Sequence, residues 1–160
     1  MSKINVNLLV LNESVTGNPP LGNPFMRECI RKALGAAGVP SGSYEVSLYL
    51  IDDCEMRRLN FEHRGSRRTT DVLSFPQFQS LDAITPGPDG VALLGDIAIS
   101  METLARRCNN RGDDPEREIL RLLVHGVLHL IGFDHASDTA RREMRQMEDG
   151  VIDTISGCGL

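Results

Sequence analysis

The segment from Pro115 to Gly132 constrains the fold most, because its sequence PEREILRLLVHGVLHLIG is apolar around most of a helical circumference. Other elements must enclose such a helix, so we expect it at the centre of the molecule. Asp114 as N-cap and Pro115 as the first helical residue favour a helix start here. The polar exceptions recur every four residues and form one slowly drifting stripe: Arg117, Arg121, His125 and His129.

Four strands and four further helices are predicted around this segment. Alternating apolar residues predict strands at Lys3 to Leu11, Tyr44 to Ile51, Asp71 to Phe75 and Leu94 to Ser100. Start and stop signals predict helices from the N-cap Asn23 to Gly38, from the N-cap Asp52 towards His63, from Ser100 to Gly112, and after Ser137. This order indicates one α+β domain over residues 1–160, a small sheet of about four strands flanked by helices. Met144 and Met147 are predicted to be core residues of the last helix.

Composition limits the classes of function. A chain of 160 residues can bury its own core, so it needs no metal as a structural staple. Its formal net charge of −5 argues against nucleic-acid binding over the whole surface but permits a local basic patch. The sequence shows neither a signal peptide nor a membrane span, which predicts a cytoplasmic protein. The widely spaced cysteines are predicted to be unpaired, buried apolar residues: Cys29, Cys54, Cys108 and Cys158.

Three histidines have the spacing of a metal site. His125 and His129 lie one helical turn apart on the same helix face. Gly132 can reverse the chain after the helix, which brings His135 back towards the first two. Three neutral imidazoles leave one tetrahedral position open, as in catalytic zinc sites, whereas structural sites usually contain cysteine and four protein ligands. The spacing therefore predicts one catalytic zinc ion.

The same spacing occurs in metzincin proteases, HExxHxxGxxH, but here Gly126 occupies the place of their general-base glutamate. That difference argues against peptide hydrolysis. A divalent ion held by neutral ligands favours an anionic substrate, and a phosphodiester is the obvious one. Asp134 has three interpretations: a further ligand, a second carboxylate behind a histidine, or a residue that shapes the turn.

Three stretches resemble the YbeY family of metal-dependent endoribonucleases that act in ribosomal RNA maturation. HGVLHLIGFDH resembles the family signature HGxLHLxGYDH, with Phe133 in place of tyrosine. LNFEHRGSRRTTDVLSFP and LGDIAIS, at residues 59–76 and 94–100, match two further stretches. The resemblance implies a mixed, mainly parallel sheet with the histidine helix at its centre.

The resemblance also implies roles for individual residues. The zinc ligands are His125, His129 and His135, and Arg64 corresponds to the functional arginine of the family. A guanidinium there would stabilise negative charge on a phosphodiester. His63 is an accessory candidate in a position where tyrosine is common. Further arginines are candidates to line an RNA path: Arg67, Arg68, Arg106, Arg107, Arg141 and Arg142.

The implied function is a single-strand-specific, zinc-dependent endoribonuclease in small-subunit ribosomal RNA maturation and ribosome quality control. Its partners would be ribosomal RNA, the small subunit and ribosome-associated proteins, with neither DNA nor a membrane. An alternative is a ribosome-assembly factor whose zinc site shapes a binding surface with little turnover; a metalloprotease ranks last. The sequence leaves open whether activated water or the 2′-hydroxyl of the RNA attacks phosphorus, and which group acts as acid or base.

Overall fold

A computed structural model describes residues 3–12 and 19–157, which form four strands and five α-helices. The strands are β1 (Ile4–Asn12), β2 (Gly42–Ile51), β3 (Val72–Pro76) and β4 (Val91–Ser100). The helices are α1 (Asn23–Ala36), α2 (Asp53–Arg64), α3 (Met101–Arg111), α4 (Pro115–Leu130) and α5 (Asp138–Ser156), with a short 3-10 turn at Leu81–Ala83.

The four strands form one sheet in the order β1-β2-β4-β3. β1 pairs with β2, and β2 with β4, in parallel, whereas β3 runs antiparallel to β4 at the edge. This arrangement confirms the expected mixed, mainly parallel sheet. Pro76 is the last residue of β3 rather than the residue after it, because a proline without an N–H is tolerated on an edge strand.

Helix α4 lies at the centre, as its sequence predicts. Its apolar residues are buried in the main core between the sheet and the helices α1 and α5. Side chains of a strand alternate between the two faces of a sheet, so the opposite face carries a separate, smaller cluster. There α2 contributes Met56, which packs with Ile51, Leu73 and Ala98. In α5, Met144 is buried and Met147 packs partly buried against the main core.

Several predicted boundaries differ from the observed ones by one to three residues, and two of these differences have a clear physical cause. The N-cap of α1 is Gly22 and not Asn23, because the Gly22 carbonyl accepts hydrogen bonds from the N–H groups of Phe25 and Met26. β4 begins at Val91, three residues before the predicted start at Leu94. The alternation was obscured there because the pairing with β2 shifts by one residue, between the partners Leu93 and Gly95.

The cysteine prediction holds for two residues. Cys29 and Cys108 are buried, but Cys54 is exposed, because α2 turns Asp53 and Met56 inward and the intervening residue outward. Cys158 lies outside the described residues.

None of the helices in the described part of the chain combines the length and the apolar character needed to cross a membrane.

Candidate metal centre

One helix and one turn bring three histidines together. His125 and His129 project from α4, one turn apart, and the chain reverses directly after the helix. Gly132 adopts φ +98° in this turn, and a Cβ there would lie 2.9 Å from the Ser80 Cα. Glycine is therefore required both by the backbone conformation and by the close approach of residue 80. The reversal brings the His135 ring to 4.9 Å from the His129 ring, between centroids.

The nitrogen positions fit a zinc ion. One ligand nitrogen from each of His125, His129 and His135 lies within 4.8 Å of the others. The Nε2 atoms of His125 and His129 are 3.1 Å apart. Tetrahedral coordination with Zn–N bonds of about 2.0–2.1 Å requires ligand nitrogens separated by about 3.3 Å. The donor set and its spacing therefore suit the predicted ion.

The protein keeps His129 neutral. Burial, together with repulsion from His125 and His135, lowers the pKa of His129 from 6.5 to about 4. A hydrogen bond to the Phe133 carbonyl and the Asp134 carboxylate oppose this shift. At pH 7 the imidazole has a free lone pair, so no proton has to be displaced before a metal binds.

A carboxylate that the sequence analysis missed orients one ligand. His125 donates from Nδ1 to Glu148 Oε1 at 2.7 Å, and the Glu148 side chain is only 10% exposed. This bond leaves the lone pair on the His125 Nε2, which faces the other ligands. Glu148 shares a buried face of α5 with Met144, Val151 and Ile155. A single carboxylate on an apolar helix face is the signal that would have indicated it.

We expect Glu148→Ala to weaken zinc binding about 10- to 100-fold, because His125 loses the acceptor that fixes its orientation. Glu148→Gln, which retains an oxygen acceptor, should bind zinc more tightly than Glu148→Ala. Competition with a chromophoric chelator measures both affinities, and Glu143→Ala, an exposed position on the same helix, is the control. Equal zinc affinities for the alanine variants at 143 and 148 would contradict this role.

Gly126 faces the sheet and leaves no room for a side chain. A Cβ at this position would lie 2.9 Å from the Ile97 Cδ1, and Ser74 donates to the Gly126 carbonyl at 3.3 Å. The glycine therefore lets α4 pack closely on β3 and β4. A glutamate here would disrupt this packing, so the general base of the metzincins has no place in this helix.

Two of the three histidines border a cavity of about 320 Å³. It is lined by His125, His135, Arg141, Met144, Arg145 and Glu148. α4 and the turn after it each supply one candidate metal ligand, and α5 supplies two arginines. The cavity thus combines a metal site with positive side chains, an arrangement suited to an anion.

Comparison with known proteins identifies the family. The family described as Endoribonuclease YbeY matches residues 22–156. The chain is 41% identical over 147 residues to the endoribonuclease YbeY of Heliobacterium modesticaldum, covering 88% of this chain and 89% of that protein. It is 37% identical over 125 residues to the endoribonuclease YbeY of Aquifex aeolicus, covering 78% and 77%. The chain belongs to the Endoribonuclease YbeY family.

A solved structure shows a similar fold. The solution structure of TM1509 from Thermotoga maritima matches with a TM-score of 0.63 and 25% sequence identity. The match covers 94% of this chain and 90% of that one.

The arginine that the YbeY resemblance singled out lies at the end of α2. Arg64 is the last residue of this helix and is exposed, and the arginine loop, residues 64–71, begins with it. In the described ranges, the Arg64 guanidinium has no hydrogen bond or ion pair. Arg67 lies over the Phe61 ring at 5.2 Å, and Arg68 is exposed. Arg64 is not among the residues lining the histidine cavity.

A buried carboxylate holds the arginine loop to the rest of the protein. Asp53 Oδ1 accepts hydrogen bonds from Ser100 and Thr103, each at 2.6 Å, and from Thr69 of the loop at 3.2 Å. Arg106 donates to Asp53 Oδ2 at 2.9 Å. Burial raises the pKa of the Asp53 carboxyl, but these hydrogen bonds outweigh it and hold the pKa well below its usual value. Asp53 thus ties the loop to β4 and α3.

Two of the arginines proposed for an RNA path already have carboxylate partners. Arg106 pairs with Asp53, and Arg107 pairs with Asp71. A phosphate would have to compete with these carboxylates, which connect both arginines to the arginine loop and its anchor, and a place for them on an RNA path stays a prediction. The sequence could not reveal these ion pairs, because Arg106 and Asp53 are 53 positions apart and Arg107 and Asp71 are 36 positions apart.

Asp134 and His63 make contacts that favour structural roles. Asp134 accepts a hydrogen bond from the backbone N–H of His135 at 2.7 Å, which favours the interpretation that it shapes the turn. His63 packs against Phe75, with ring centroids 4.6 Å apart, and lines a different cavity together with Asp96 and Ala98.

Proposed function

We propose that this protein is a cytoplasmic, zinc-dependent endoribonuclease that cleaves single-stranded RNA of the small ribosomal subunit. The observation that carries the proposal is the convergence of three imidazole nitrogens beside an open cavity in a member of the YbeY family. Ribosomal RNA, the small subunit and ribosome-associated proteins are the partners that this function requires.

Three histidines with an open fourth tetrahedral position form a ligand set of catalytic zinc sites, and imidazole also binds copper, iron and nickel. A zinc ion held by His125, His129 and His135 supplies Lewis acidity, which lowers the pKa of water to about 7 and stabilises charge on a phosphate. The protein's own residues do the rest: Glu148 fixes the orientation of His125, and the Arg64 guanidinium stabilises the phosphoryl oxygens as negative charge develops. Arg67 and Arg68 hold the RNA backbone near Arg64.

An assembly factor with little turnover is the second candidate. The observation behind it is that the carboxylate lining the cavity, Glu148, is already bound to His125. Of the residues that line the cavity, none is therefore an uncommitted carboxylate able to act as a general base. Such a protein would need the zinc site to shape a binding surface and not to cleave RNA.

Metal analysis combined with RNA cleavage tests the proposal. We expect about one zinc per chain, cleavage of a defined single-stranded fragment of small-subunit RNA, and no cleavage of the same sequence as DNA or as an RNA duplex. A 2′,3′-cyclic phosphate on the product would show attack by the 2′-hydroxyl, whereas its absence would show attack by water. A fully zinc-loaded protein that leaves the RNA intact would favour the assembly factor.

A further inference from the structure

The polar stripe of α4 runs along a row of carboxylates on α5. Arg117 pairs with Asp153 at 3.1 Å, and Arg121 pairs with Asp149 at 3.2 Å. His125 then pairs with Glu148 at 2.7 Å. Towards the metal centre, each cationic or titratable group of α4 thus faces an acidic partner on α5.

This charge pattern reverses at the metal centre. The next α5 residues that face the histidines are Arg145 and Arg141, which line the same cavity as His125 and His135. Arg141 lies 3.8 Å from Asp138, and both side chains are largely exposed. Within residues 3–12 and 19–157, no carboxylate lies within ion-pair distance of Arg145. The face of α5 therefore changes from acidic to basic where the metal would bind.

An anion bound between a divalent cation and an exposed guanidinium gains attraction from both charges. A phosphate group satisfies both charges, and the planar guanidinium can donate two hydrogen bonds to it. We propose that Arg145, supported by Arg141, forms a binding subsite for a phosphate of the RNA strand next to the cleaved one. This subsite rests on the proposed function and is separate from the arginine loop, since Arg145 lies on α5.

The neighbouring surface limits how far the RNA runs along α5. Arg145 also lines a second cavity, of about 550 Å³, between α4 and α5. The other residues that line it are Arg111, Asp113, Asp114, Arg117, Glu118, Arg121, Glu148 and Asp149. Five carboxylates there outweigh the arginines, so this cavity does not attract a phosphate backbone. Arg145 is thus the last phosphate contact on this side of the metal.

Binding of a non-cleavable RNA tests the subsite. A fluorescent, 2′-O-methylated single strand prevents attack by the 2′-hydroxyl, gel electrophoresis checks that it stays intact, and anisotropy gives its Kd at several salt concentrations in zinc-loaded protein. We expect Arg145→Gln to raise Kd about five- to tenfold and to reduce the slope of log K against log salt by about 0.7, the value for one phosphate contact on a single strand. Arg145→Lys should restore the slope, because it keeps the charge, but only part of the affinity.

Arg27→Gln is the matched control, because it removes the same charge from an exposed position on α1 that does not line the cavity. Equal Kd values and salt slopes for the glutamine variants at 27 and 145 would overturn the subsite. Loss of zinc from Arg145→Gln would also overturn it, since the residue would then act on the metal centre itself. Failure of the wild type to cleave natural RNA, with the expected Kd difference intact, would instead reject only the proposed function.

Discussion

His129→Ala is expected to bind zinc too weakly to retain it through purification and to lose at least about 10³-fold in RNA cleavage. Two ligands would remain, and a metal ion contributes several kcal/mol of charge stabilisation to a reaction of this kind. Burial lowers the pKa of His129, so the substitution removes an imidazole that is neutral at pH 7 and ready to bind a metal. Zinc content by mass spectrometry and the initial rate of cleavage measure the two effects.

Arg64→Ala separates the contribution of the guanidinium to RNA cleavage from the contribution of the metal. It should retain zinc, because Arg64 does not line the histidine cavity, and lose about 10²-fold in cleavage if its guanidinium stabilises the phosphoryl oxygens. If His129→Ala and Arg64→Ala both cleave RNA as fast as the wild type, a contaminating ribonuclease is the source of the activity. If His129→Ala loses zinc but supports normal ribosome maturation in cells, the zinc site is not required for function.

Asp53→Ala should lower the free energy of unfolding by about 3 kcal/mol at pH 7. The substitution removes the acceptor of buried hydrogen bonds from Ser100 and Thr103 and the partner of Arg106, each worth about 1 kcal/mol or more. Denaturant titration measures the loss, and Asp82→Ala, at an exposed position, should change stability by less than about 0.5 kcal/mol. Equal stabilities of these two variants would show that the network around Asp53 contributes nothing.

The pH dependence of the same variant provides a second measurement. The Asp53 pKa is lowered by folding, so its contribution to stability is fully present above the pKa of the unfolded state, about 3.9, and is lost as the pH falls below it. The stability difference between the wild type and Asp53→Ala should therefore shrink in acid. Asp53 also holds Thr69, so the variant should cleave RNA more slowly through a loosened arginine loop.

Local signals in the sequence were enough to predict the central helix and the three candidate metal ligands. Residues 115–132 are apolar around most of the helix, which predicted the central place of α4, because such a helix has to be enclosed on most sides. The spacing of His125 and His129 on one helix face, with Gly132 to reverse the chain, needed no knowledge of distant residues. The same locality explains why the N-cap Asp52 was predicted correctly, since its side chain accepts from the N–H of Glu55, three residues along the chain.

Only the tertiary structure decided what surrounds these ligands. The bond from His125 to Glu148 joins residues 23 positions apart and depends on the packing of α5 against α4, which no local pattern encodes. Packing also made Gly126 a contact point for Ile97, where the sequence had shown merely a missing glutamate. Among the described residues, helix packing also gave Arg117 and Arg121 carboxylate partners on α5 and Arg145 none, because packing and not composition decides which charges meet.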